Sequence, residues 1–202
     1  AREQRSLSER IAAIRGASQY RRASFLLDAA GTQVFPSFLQ MQERPFLKRA
    51  LASGAYDAEG VATRDRELLK DGVLDGYVLG SYSARKLGLR TTGNAGGIHN
   101  LLVTAPAASA DFAGLLARMG RGLYVTELLG QGVNGVTGDY SRGASGYWVE
   151  GGEVAFPVHE ITIAGNLKDM FRNVVAVGTD VDAMGTIRCG SVLVDGMTIA
   201  GE

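Results

Sequence analysis

The chain has 202 residues, 46% of them apolar and 21% charged, which is the make-up of a globular chain long enough to bury a sizeable core. Lys plus Arg and Asp plus Glu both number 21, so the formal net charge is zero and no global field draws in nucleic acid or an anionic membrane. No apolar run approaches the ~18 residues that span a bilayer, and the single cysteine, Cys189, excludes an internal disulfide and fits a reducing compartment.

The first residues are charged and amphipathic, unlike a signal peptide, and the absence of an initiator Met reads as a fragment or processed product. Residues 7–16 (LSERIAAIRG) carry a helix signature: Ser8 as cap, Glu9 in the first turn and Gly16 as terminator, with Leu7, Ile11 and Ile14 on one face. Residues 24–27 and 33–41 read as strands joined by a turn at Gly31, with Pro36 demoting part of the second to an edge or bulge. Residues 44–62 are a loop and the segment expected to move. A strand pair follows over 67–82, turning at Asp71-Gly72 or Asp75-Gly76. Ser81 or Ser83 is placed to cap a short helix that ends at Gly88.

Ser109 with Asp111 opens an amphipathic helix with Phe112, Leu115, Leu116 and Met119, stopped at Gly120. A strand over 122–129 runs into a Gly-rich stretch to Gly146. Residues 147–149 and 154–156 then flank a Glu150-Gly151-Gly152-Glu153 hairpin turn, and 161–164 reads as a strand. Asn166 begins a helix with Met170, Phe171, Val174 and Val175 on one side, and strands around Asp195-Gly196 close the chain. Glycine numbers 28, about 14% against the usual ~7%, and at that density inside apolar sequence it marks tight turns, bulges and close backbone approaches. The expectation is one α+β domain over residues 1–202, Gly-rich, with a predominantly antiparallel sheet and a few short amphipathic helices.

Four glycine-bearing segments are candidates for chemistry. TTGNAGGIHN (91–100) offers bare N–H groups for an oxyanion, but it has neither P-loop nor dinucleotide spacing. The plainer reading is a tight loop whose His99 and Asn100 bond to backbone. Gly130, Gln131, Gly132 and Asn134 follow an apolar strand; they suit a sheet edge free to pair with an extended peptide, or an internal strand with a bulge. VTGDYSRGASGYW (136–148) holds Asp139, Ser141 and Arg142. Ser141 needs a neighbouring base to act as nucleophile, and the only histidines, His99 and His159, are distant in sequence. Asp139 and Arg142 read as a charge pair pinning a loop. Around Cys189, no two His or Cys residues have metal-ligand spacing; Cys189 reads as a small buried hydrophobe and His159 as flanking a strand. No catalytic group, metal site or cofactor is assigned.

The segments SFLLDAAGTQVFP (24–36), DGVLDGYVLGSYSARKLGLRTTGNAGGIHNLLV (71–103), VTELLGQGVNGVTGDYSRGASGYWVEGGEV (125–154) and ITIAGNLKDMF (161–171) resemble the TldE/PmbA family, from Ser24 almost to the C-terminus. Full members carry an N-terminal domain absent from this chain. The resemblance implies a cytoplasmic TldD–TldE peptidase assembly that matures a microcin precursor and breaks down unfolded or antitoxin polypeptides. Members have also been labelled modulators of DNA gyrase. In TldD the zinc sits on a His-Glu-X-X-X-His helix completed by a later Cys, with the Glu as base for the bound water. Counting back from 24–31, that motif falls near 7–12, which read Leu-Ser-Glu-Arg-Ile-Ala, with neither His and with Glu9 out of register. Cys189 falls near the position of the partner's third ligand, so it is the one metal-ligand candidate.

The reading that follows is a non-catalytic subunit, pairing with a TldD-type zinc peptidase around an unfolded peptide. Its Gly130, Gln131, Gly132, Asn134, Asp139, Arg142, His99 and Asn100 would serve peptide binding or the interface. Alternatives are an autonomous zinc peptidase, with Cys189, His99 and His159 converging, and a gyrase-associated regulator. Against direct nucleic-acid contact stand the neutral charge and the lack of a basic-aromatic pattern. The apolar stretch 123–129 also suits a homodimer.

Overall fold

The computed structural model describes residues 12–201. Of the helix expected over 7–16, residues 7–11 lie outside that range. Gly16, expected as its terminator, instead opens α1 (Gly16–Tyr20), and its N–H donates to Val78 O (2.9 Å).

β1 (Gln40–Glu43) lies antiparallel to β2 (Arg66–Lys70), which turns through Asp71-Gly72 into β3 (Val73–Leu74). Both turn residues are left-handed (φ 51° and 76°), the geometry of a two-residue hairpin whose twist matches its strands. A Cβ at Gly72 would also meet Phe35 O at 2.2 Å, so only glycine closes this turn. α2 (Ser81–Lys86) follows, with Gly80 in the N-cap position and no side chain capping it, so neither Ser81 nor Ser83 has the expected role. β4 (Leu101–Thr104) pairs with the other side of β1.

After β5 (Ser109–Ala110), Asp111 accepts from the Gly114 amide at 2.8 Å and starts α3 (Phe112–Met119), which ends at Gly120 (φ 64°). β6 (Gly122–Leu129), β7 (Asp139–Glu150) and β8 (Glu153–Asn166) form a meander. Asn166 accepts from Lys168 N (3.0 Å) to cap α4 (Leu167–Arg172). Val174 and Val175 leave that helix for β9 (Val174–Gly178), because β-branched side chains fit a pleated strand better than a helix end. β10 (Ile187–Arg188), β11 (Val192–Val194) and β12 (Thr198–Ala200) complete the chain.

These strands make three sheets, not one main sheet: β10-β4-β1-β2-β3, β11-β9-β5 and β12-β8-β7-β6. The pairs β10–β4 and β5–β9 are parallel and the rest antiparallel. Helix takes 16% of the described residues and strand 37%, so the fold is α+β with sheet dominant. The Asp195-Gly196 turn separates two sheets instead of forming a hairpin: β11 stays with β9 while β12 joins β8.

The stretch 24–36 is irregular, apart from a bridge between Gln33 and Val73, although Phe25, Leu26, Val34 and Phe35 are buried. Its backbone finds scattered partners, near in the chain for Leu26 N to Ser24 Oγ (3.0 Å) and far along it for Phe25 N to Gly135 O and Val34 N to Gly72 O (both 2.9 Å). Phe25 and Phe35 reach Phe171 of α4, edge-on at 5.6 Å and stacked at 4.5 Å. This aromatic group belongs to a core that also takes in Leu68, Leu101, Tyr140, Ala144, Ile161 and Ile163. No helix among the described residues is long and apolar enough to cross a membrane.

Candidate functional site

One strand edge and one polar cluster hold the residues that matter. In the four-stranded sheet β6 is outermost. Its pairing with β7 shifts between Val125 and Glu127, a bulge that twists the edge and separates two regularly paired runs, 122–125 and 127–129. Beyond β6, Gly130 (φ 69°) turns the chain, and its carbonyl accepts from the Arg142 guanidinium. Gly132 and Asn134 pair on one side with the start of β7: Ser141 N donates to Gly132 O (2.7 Å) and Asn134 N to Asp139 O (2.8 Å). A Cβ at Gly132 would lie 1.6 Å from Ser141 O, so this approach requires glycine. Gln131 is exposed.

Asn134 Oδ1 accepts from Val136 N (3.0 Å) and Thr137 N (3.3 Å), shaping the turn that follows. Asp139 and Arg142 do not face each other as a charge pair. They stand three residues apart inside β7, not in a loop, and alternation puts them on opposite faces. Asp139 accepts from Thr137 Oγ1 (2.6 Å) and Asn166 Nδ2 (3.1 Å). Those two bonds hold its carboxyl below the usual carboxylate range. The turn at 134–139 is thereby tied to the cap of α4.

The 91–100 loop leads into β4 of the five-stranded sheet, and two of its N–H groups are taken by the protein's own carboxylates. Ala95 N donates to Asp57 Oδ2 (2.9 Å), and His99 N to Glu43 Oε1 (2.8 Å). Thr92 N and Asn94 N donate to Leu79 O (3.0 and 3.4 Å). Asn100 is 1% exposed, and its side chain clamps the 44–62 loop through Arg44 O (3.1 Å), Ser53 Oγ (2.8 Å) and Ala52 N (3.1 Å). The backbone bonding expected for Asn100 is present. The side chain of His99 instead turns its Nδ1 to Glu43 Oε1, at 3.3 Å.

Glu43, 1% exposed, is the centre of this cluster. Oε1 also accepts from Asn94 Nδ2 (2.6 Å). Among the described residues no hydrogen bond reaches Oε2, which faces Arg66 Nη1 at 3.6 Å. Arg66 donates to Asn94 Oδ1 (2.7 Å) and Tyr77 O (3.1 Å), and burial lowers its guanidinium from the ordinary value against the opposing pull of Glu43. Sequence reasoning passed over Glu43, Arg66, Asn94 and Asp57. The available signal was parity: Glu43 follows Leu39 and Met41 at alternate positions, where an apolar residue belongs.

Asp57 accepts from three backbone amides, those of Glu59, Val61 and Ala95, each at 2.9 Å. Burial pushes its carboxyl up, but the amides of Ala95, Val61 and Glu59 and the charge of His99 prevail and hold it below the usual range. A depressed folded-state value gives stability that is present above the unfolded value of about 4 and is lost as pH falls through the folded one. Asp57→Asn is therefore expected to lower the urea midpoint at pH 7, with the gap from the parent chain closing below about pH 4. A gap unchanged from pH 7 to pH 3 would contradict this assignment.

The zinc donors of the resemblance do not come together. Ile187 and Arg188 of β10 pair in parallel with Leu101 and Leu102 of β4; Cys189 follows the end of β10, whereas His99 lies in a bend before β4. His159 lies within the long strand β8, exposed, in a different sheet. Cys189 packs against the core. Among the described residues no three His, Cys, Asp or Glu side chains are grouped to hold a metal ion.

A three-sheet α+β domain, with a Gly-rich meander at one side and a buried carboxylate cluster at another, defines the class of protein. Residues 6–201 match the PmbA/TldA metallopeptidase C-terminal domain, and the chain belongs to that family. It is 55% identical over 192 residues to Metalloprotease PmbA of Escherichia coli O157:H7, covering 95% of this chain and 42% of that protein. Its structure is similar to one from Bacteroides thetaiotaomicron described as a candidate modulator of DNA gyrase (TM-score 0.91, 31% identity, 98% of this chain, 44% of that one). TldE of Thermococcus kodakarensis shares the fold (TM-score 0.80, 23% identity, 95% of this chain, 46% of that one). The chain thus spans less than half the length of the relatives it matches.

Proposed function

We propose that this domain belongs to a non-catalytic TldE/PmbA-type subunit of a cytoplasmic TldD–TldE metallopeptidase, with the hydrolytic zinc held by the partner. The observation that carries this reading is the scatter of His99, His159 and Cys189 over two sheets. Catalytic zinc needs three protein ligands around one open position. The substrate would be an extended, unfolded peptide such as a microcin precursor or an antitoxin. The outer edge of β6, continued by Gly130, Gln131 and Gly132, supplies backbone for strand addition or for the subunit interface. Asn134, Asp139 and Arg142 hold that edge in shape.

The metalloprotease name carried by the Escherichia coli relative favours a second reading, a zinc peptidase whose ligands lie partly outside this chain. Metal analysis of the full-length protein separates the two. Zinc well below one per chain is expected; about one per chain, lost on substitution of His99 or Cys189, would overturn the first reading.

A further inference from the structure

A cleft of about 390 Å³ lies between the four-stranded sheet and the layer formed by α3 and β11, reaching from the 122–125 run of β6 to Ile163 of β8 and Ile199 of β12. That volume falls in the range of sites that bury small ligands or side chains, about 300–1,000 Å³. Gly122, Leu123, Tyr124 and Val125 of the edge itself form part of its lining. Leu115 and Leu116 of α3, Val192 of β11 and Met197 supply apolar wall. Its charged lining residues are Arg118, Arg121 and Asp195, an excess of one positive charge. Arg121 lies over the Trp148 ring at 5.6 Å, so Arg118 is the guanidinium left to meet a ligand.

We propose that this cleft receives the apolar side chains of an extended polypeptide whose backbone adds to the 122–125 edge of β6, with Arg118 meeting a carboxylate on that polypeptide. The proposal rests on the strand-addition reading given under Proposed function and adds a side-chain preference to it. In a strand every second side chain points to the same face, about 6.6 Å apart. A chain paired with 122–125 therefore presents alternate residues to the side on which the cleft opens. Backbone pairing alone is indifferent to sequence; an apolar cleft with a cationic lining is not. The preferred segment has large apolar residues at alternate positions and an acidic side chain or a free C-terminus nearby.

The test uses full-length protein and fluorescein-labelled extended peptides, read by fluorescence anisotropy. The probes are a peptide with Leu at alternate positions and a free C-terminus, its Leu→Ala version, its C-terminal amide, and a version N-methylated at alternate backbone amides. The Leu peptide is expected to bind about tenfold or more tightly than the Ala peptide, and both N-methylation and amidation are expected to weaken it. Met197→Trp, which fills the cleft, should erase the Leu preference, and the exposed Arg118→Glu should erase the preference for the free carboxylate. If N-methylation abolishes binding while Leu and Ala peptides bind equally to parent and both variants, the edge reading survives and the cleft proposal is overturned. Binding unaffected by N-methylation overturns the edge reading itself, and no binding by any peptide overturns both.

Discussion

Arg66→Met is expected to destabilise the protein by about 3–5 kcal/mol, because it strands the buried carboxylate of Glu43 without its cation. Both side chains are nearly closed to solvent, 8% exposed for Arg66 and 2% for Glu43, so water cannot take over the lost charge. The Tyr77 carbonyl loses the Arg66 donor at the same time, and the Asn94 oxygen is left with Thr92 Oγ1 (2.7 Å) alone. With a urea slope of about 2 kcal/mol/M, a loss of 4 kcal/mol moves the midpoint by about 2 M. Adding Glu43→Gln to Arg66→Met removes the stranded charge and is expected to recover part of that shift. Equal midpoints for the single and double variants would show that the charge pair does not hold this end of the sheet.

Phe171→Ala is expected to cost about 3–5 kcal/mol. Phe171 is 1% exposed and meets Phe35 and Phe25 face-on and edge-on. It is the point at which the irregular 24–36 stretch is fastened to α4. A small void of about 30 Å³, lined by Phe171, Phe35 and Leu68 among others, already lies beside it, and truncation would enlarge an existing gap that the strands cannot close. Phe171→Leu keeps most of the volume and is expected to cost only about 1–1.5 kcal/mol. A loss below about 1 kcal/mol for the alanine variant, measured by the same denaturation, would place the core's anchor elsewhere.

Local chemistry was legible where a few adjacent residues decide the backbone. Asp71-Gly72 makes its turn, Asp111 and Asn166 cap their helices, and Gly88 and Gly120 follow helices with left-handed backbone. Lengths and partners were not legible, because they depend on residues far apart in the chain. Residues 139–146 read as loop on account of Gly143 and Gly146, yet they are the first eight of the twelve residues of β7. The neighbouring backbone lies so close that a Cβ at Gly146 would sit 2.0 Å from Tyr124 O. The same glycines that look like breaks in sequence are what let β6 and β7 approach. Residues 24–36 failed in the opposite sense: apolar enough for strands, they bury Phe25, Leu26, Val34 and Phe35 while their backbone bonds go to scattered partners such as Gly135 O, Leu74 O and Gly72 O, not to a strand ladder. Of the site, Gly-X-Gly after an apolar strand left 130–134 open between a sheet edge and a bulged internal strand, and the chain there bonds to the start of β7 through Gly132 and Asn134. The carboxylate cluster could not, since Asn94, His99 and Arg66 reach Glu43 only through the sheet register.

The donor scatter bears most directly on one experiment: hydrolysis of an unfolded peptide by the TldD-type zinc peptidase, with and without the full-length protein that carries this domain. The account predicts little cleavage by either protein alone and efficient cleavage by the pair, undiminished when His99, His159 and Cys189 are replaced one at a time by Gln, Gln and Ser. Equal cleavage with and without this protein, or cleavage by this protein alone that disappears with one of those three residues, would contradict it.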